Sequence, residues 1–307
     1  MFILLLTGSW ARAGWLWRPA AGLGYTDNAN LESSNQDADF FWWAREAGTI
    51  PGEDSSVWNL WVQYRDFISQ HANDVLNYRI GRVKEVTLPN SGVWDWDLSV
   101  GGQQYTEGNP GTTEEGFSSV FFETSLIKAL SSDENVEVTL EPRYQLRPYI
   151  QLEGRVDHSL SFLSEVDWTV SPKHSLIALT ELGVVVSSQS AYSRYYLDLG
   201  TEWKIYPEAG LQVGFLGFSR FSTYTSRNAA DPTLVTNRRG VTRVVSPQGD
   251  NEAMTFFQLQ SYLTKKLEYF ELRGGVAFNN QWSRSGNENY RELQILASIL
   301  FPLDLGR

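Results

Sequence analysis

The sequence predicts an all-β fold: one transmembrane, antiparallel up-and-down barrel of about 14 strands, with 12 or 16 as the neighbouring even counts. Three observations carry this. The segment 289–303 (NYRELQILASILFPL) sets Leu293, Ile295, Ala297, Ile299, Phe301 and Leu303 on one face and Glu292, Gln294 and Ser298 on the other, a period of two. Similar segments fill the chain before it, separated by connections that alternate between tight turns and longer loops. The chain is 14% aromatic, with Trp 12, Tyr 14 and Phe 16, yet has no run of about 18 uncharged apolar residues. A helical membrane protein is thereby excluded, whereas a barrel escapes that test because only every second residue meets lipid.

The other bulk properties narrow the chemistry. With no cysteine, disulfide scaffolds, thiolate metal sites and cysteine nucleophiles are absent together. A formal charge of -11 argues against nucleic acid, whose phosphates need a basic surface. The opening MFILLLTGSWARAG has an apolar run followed by Ala11-Arg12-Ala13, so residues 1–13 are expected to be a signal-peptide remnant and 15–307 the barrel.

In order, strands are expected at 16–26, 40–47, 57–68 and 77–87. This quarter alternates least well, and RIGRVKEV places charges on both faces of the fourth strand, which calls for a bulge or a covered edge there. The fifth, at 93–105, is clearer, with Trp94, Trp96, Leu98 and Val100 opposite Asp95, Asp97, Ser99 and Gln103. Strands follow at 117–130, 136–147, 160–170 and 176–186. The tenth, 194–205, alternates Tyr195, Leu197, Leu199, Trp203 and Ile205 with Arg194, Tyr196, Asp198, Gly200, Glu202 and Lys204. Leu199 is therefore expected to meet lipid, and Gly200 to accept Ser on the inner side. Strands at 211–224, 254–267 and 270–283 lead to the closing one. The connections after even strands are TIPGEDSS, LPNSG, SSDEN, SPKHS, PEAG and KLEY, mostly tight; 227–252 is the longest of the others. Both termini then lie on the tight-turn side, which in an outer membrane is the periplasm.

Two stretches carry a family resemblance. The last strand, with its aromatic Phe301 near the chain end, resembles the closing strand of bacterial outer-membrane β-barrels, although Pro302 to Arg307 follow where that family stops on the aromatic. AAGLGYTDNANL resembles the opening of a group of putative bacterial barrel porins, some of which sit in exopolysaccharide export loci. The resemblance implies an outer-membrane location and neighbours among lipid, lipopolysaccharide and envelope proteins.

In a barrel the apolar face meets lipid and the polar face lines the lumen. Inner positions from the fifth strand onward supply the acids Asp95, Asp97, Glu123, Glu137, Glu141, Glu165, Asp167, Glu181, Asp198, Glu202, Glu271 and Glu292, against the bases Arg143, Arg147, Arg194, Lys204, Arg220 and Arg273. Two arrangements fit this acid-rich wall: a cation-favouring constriction beneath a basic outer vestibule, or a cross-strand Arg and Glu ladder that stiffens the barrel. Arg238, Arg239 and Arg243 lie in TLVTNRRGVTRVV, where β-branched residues flank a glycine and predict a small hairpin in the long loop. Trp94, Trp96, Trp168, Tyr195 and Trp203 are expected in interfacial girdles.

A passive channel for small solutes, with no cofactor or metal and no catalysis, fits these features best. A barrel serving a larger envelope or polysaccharide-export assembly is the second reading. The third is a hydrolase: His158 lies between Asp157 and Ser159, faintly resembling lipid A deacylases, although their His-x-Ser spacing is missing. His71 and His174 have no evident partner.

Overall fold

The computed structural model describes residues 16–28, 38–52, 54–69, 74–105, 118–133, 135–150, 155–228, 233–236, 242–245, 251–284, 289–301 and 303–304. Fourteen strands wind into one closed antiparallel barrel, each paired with its sequence neighbours. Strand β1 has two parts, Leu16–Trp17 and Ala20–Thr26. Then come β2 Asp39–Pro51, β3 Val57–Phe67, β4 Val75–Leu88, β5 Gly92–Tyr105, β6 Ser119–Asp133 and β7 Val136–Pro148. The second half is β8 Val156–Ser171, β9 His174–Ser187, β10 Arg194–Glu208, β11 Leu211–Asn228, β12 Asn251–Lys266 and β13 Glu271–Ser283. Strand β14 is Tyr290–Leu300, prolonged by Leu303–Asp304.

Closure runs β14 to β1 to β2. Leu300 pairs with Ala20 and Asp304 with Leu16 in one unbroken register, so proline interrupts both strands without shifting either. Around Pro19, Arg18 N–H donates to Ala47 O at 2.7 Å and Phe301 N–H to Pro19 O at 2.9 Å, which keeps the ladder continuous. Leu303 and Asp304 thus extend the closing strand. Pro142, in mid β7, has no N–H to give. The β6–β7 ladder accordingly skips from Arg143 to Leu140.

Tight turns follow the even strands. Asn90 and Gly92, at φ 65° and 81°, turn β4 into β5, and Gly210, at φ 74°, turns β10 into β11. Such positive φ suits glycine and is tolerated by asparagine. Strand β2 runs four residues past its expected end, through Gly48 to Pro51, because β1 and β3 pair with that extension from both sides.

Strand β4 needs neither a bulge nor a covered edge. Its register against β3 and β5 is uninterrupted, and the outward Arg82 and Lys84 sit beside the β2–β3 turn, where Asp54 takes both at 2.6 and 2.9 Å. Hydrogen bonds from Ser56, then Lys84 and Arg82, hold the Asp54 carboxyl below the usual carboxylate range.

The outer face is mostly apolar: Leu23, Leu98, Leu182, Leu199, Leu259 and Ile295 are all exposed. Trp58, Trp96, Trp168 and Trp203 ring the tight-turn end, while Trp42, Tyr144, Tyr195 and Trp282 ring the other. His174 stacks on Trp203, with ring centroids 5.8 Å apart, in the first of these girdles.

Candidate functional site: the inner wall

Alternation fixes which side chains point inward, and closure brings them within reach of strands that are not neighbours. Arg79 on β4 binds Asp97 on β5 at 2.8 Å and passes over that strand to Glu123 on β6 at 3.0 Å. Likewise Tyr262 on β12 skips β11 to donate to Glu202 on β10. Contacts across a skipped strand belong to the concave face of a curved sheet.

The inner face carries a ladder of paired charges. Arg143 reaches Glu141 at 2.9 Å and Glu123 at 4.0 Å, while Gln145 donates to Glu123 at 3.0 Å. Tyr196 donates to Glu181 at 2.9 Å. Arg220 grips Asp198 with two nitrogens at 2.8 and 2.6 Å, and its guanidinium lies 5.3 Å from the Tyr196 ring. Lys204 meets Glu202 at 3.2 Å. Glu123, Arg143, Gln145, Ser159, Ser161, Glu181 and Tyr196 share one small polar recess in this wall.

Of the two arrangements left open, Arg143 and Arg220 follow the ladder. Arg220 stands directly opposite Asp198 in the register, so acid and base share a level instead of forming a basic vestibule above acids. Arg147 and Arg194 lie nearer the long-connection end, over the rings of Phe121 and Tyr224 at 5.8 Å each. Asp167 accepts from Ser175 at 3.2 Å, and Glu165 is its inner neighbour on β8. On the far side, Glu292 accepts from Thr26, Asn279 and Gln294 at 2.8, 2.7 and 2.6 Å.

The first four strands add what the sequence reading missed. Arg18, Arg45, Arg65 and Arg79 also point inward, and only Arg79 has a carboxylate within ion-pair distance among the described residues. Arg65 covers Phe41 at 5.0 Å. Phe41, Trp43, Phe67 and Leu296 form an apolar cluster on this wall, with Phe41 and Phe67 buried. A Cβ on Gly24 would lie 2.2 Å from the Phe41 ring, so only glycine admits that ring. The FFWW run has aromatics on both faces, Phe40 and Trp42 outward and Phe41 and Trp43 inward; its periodicity alone could not assign a side.

The hydrolase constellation does not assemble. Strand β8 turns Asp157 inward, where Arg155 holds it at 2.8 Å, and turns His158 outward, where its Nδ1 lies 2.7 Å from Tyr144 Oη. His71 lies outside the described residues. Among the described residues no group of His, Cys, Asp or Glu has metal-holding geometry. The loop hairpin forms as expected, with Thr233–Thr236 paired to Thr242–Val245, while Arg238, Arg239 and the Arg243 side chain lie outside the described residues.

This architecture, a closed fourteen-strand barrel with an apolar exterior and a polar interior, is that of Gram-negative outer-membrane barrels of the porin type. Among solved structures it is similar to OprB of Pseudomonas putida (TM-score 0.50, 8% identity, 94% of each chain covered). It is also similar to an anion-selective porin from Comamonas acidovorans (TM-score 0.47, 7% identity, 94% of this chain and 98% of that one). A bacterial polysaccharide outer membrane secretin gives a TM-score of 0.47 at 9% identity, over 95% of this chain and 99% of the other. No protein-family model and no curated protein sequence matches the chain.

Proposed function

We propose that the chain is an outer-membrane channel for passive diffusion of small polar solutes, with both termini periplasmic and no catalytic step. The observation behind this reading is the polar inner wall. Its charged side chains are anchored to neighbours along the wall, as in the Arg79, Glu123 and Arg143 network. A barrel of this strand number is wider than the small barrels whose interiors side chains fill.

The wall of β4 to β10 is acid-rich, and we read it as favouring cations. Glu85, Asp95, Glu137, Glu165 and Asp167 lie at its tight-turn half without an arginine within ion-pair distance among the described residues. In the same reading, Arg238, Arg239 and Arg243 of the long loop are drawn inward toward the acids at mid-height of the lumen and narrow the passage. Opposite charges attract more strongly where water is scarce. Liposome swelling tests the channel: vesicles carrying the barrel should swell in arabinose and not in a large dextran. Swelling no faster than empty vesicles in any small solute would refute it.

A further inference from the structure

Inner positions of β1 to β3 follow an order that the acidic wall does not. In paired rows from the tight-turn end, Arg18 is level with Trp61 through Ala47, Arg45 comes next, and Trp43 is then level with Arg65, followed by Phe41. Guanidiniums and rings thus share the successive rows of one wall. Successive inner positions on a strand are about 7 Å apart, close to the width of one six-membered ring bearing a carboxylate.

The three guanidiniums have no carboxylate within ion-pair distance among the described residues, unlike those of the facing ladder. The buried Nε atoms of Arg45 and Arg65 have no hydrogen-bond acceptor. Arg18 and Arg45 occupy successive inner rows, so their like charges repel. Like charges in successive rows with no carboxylate within ion-pair distance cost stability unless an anion joins them. The Trp43 indole lies across Gly22, where a Cβ would come within 2.6 Å of the ring, and it is half-buried on the inner wall. Guanidiniums accept carboxylate in a two-pronged geometry, and an indole face takes a flat or CH-rich ring.

We infer that this wall binds solutes that carry a carboxylate beside a ring. The ring has two chemical sources, a sugar ring as in a uronate or an aromatic ring as in a benzoate. The inference deepens the channel reading and rests on it for access to the lumen. Binding is therefore read by calorimetry on the detergent-solubilised barrel, which needs no ion current.

Galacturonate, benzoate, acetate and glucose are titrated in turn. Galacturonate or benzoate should bind at least about tenfold more tightly than acetate, which lacks the ring, and than glucose, which lacks the charge; the tighter of the two identifies the ring. Arg45→Gln should weaken that ligand about tenfold while leaving glucose unchanged. Where too little Arg45→Gln barrel folds, Arg18→Gln, at the strand end, carries the same expectation. Acetate or glucose binding as tightly as the better of the two ring carboxylates, or a folded variant binding that ligand like wild type, would each overturn the inference. Conduction without binding would sink the inference alone, and binding without conduction the channel alone.

Discussion

Asp198 is 2% exposed, and Arg220 donates two charge-assisted hydrogen bonds to it from the neighbouring strand. Removing that partner leaves a buried carboxylate under-satisfied, which costs more than the net value of the bond itself. Arg220→Met should therefore destabilise the barrel by about 1–3 kcal/mol in urea titrations in lipid vesicles, with Asp198→Asn in the same chain recovering part of the loss. Equal stability of the single and double variants would mean that the two side chains are not coupled. Asp54, in the β2–β3 turn, is the opposite case: it is open to water, and its partners hold its carboxyl lower than in an unfolded chain. A depressed folded value means the contribution is complete above the ordinary value of 3.8 and fades as pH falls below it. Between pH 5 and 8, Asp54→Asn should thus show a constant, small deficit, since water and salt screen surface pairs.

A strand tests its two faces best where one substitution is placed on each side of the same backbone. On β12, Leu259 is 50% exposed on the outer face and Gln260 lies inward. Leu259→Arg should cost about 2–4 kcal/mol near the bilayer midplane, while Gln260→Arg should cost much less in an aqueous lumen. Equal costs would reverse or abolish the facing of this strand. Gly200 on β10 is a poorer inner control than its sequence position suggests. A Cβ there would lie 2.8 Å from the Leu179 side chain, so Ser requires that leucine to move.

Strands from β5 onward were legible because most of their charges keep to one face and the other is mostly apolar, even though Phe121, Tyr196 and Tyr262 turn inward. The first four were not: FFWWAREA and WVQYRDF carry rings on both faces, and the outward charges of β4 make sense only beside Asp54. The acidic wall could be read from alternation alone. The guanidinium and ring wall required the register of β1 to β3, including the pairing of Arg18 with Ala47 across the proline break.

At the scale of the molecule, turn asymmetry gives an orientation to test. The chain has no cysteine, so a single introduced thiol reports alone. Ala191→Cys, in the 3-10 turn between β9 and β10, should react with an impermeant thiol reagent on intact cells, and Ala209→Cys, in the tight turn after β10, should not. The reverse pattern would invert the barrel. The central claim, an open lumen bordered by more acid than base, is tested most directly by single-channel recording in planar bilayers under a salt gradient. Discrete current steps with a reversal potential displaced toward the cation equilibrium value are expected. A folded barrel giving no steps would contradict the channel, and a reversal potential on the anion side would contradict the assignment of the acidic wall as the conducting one.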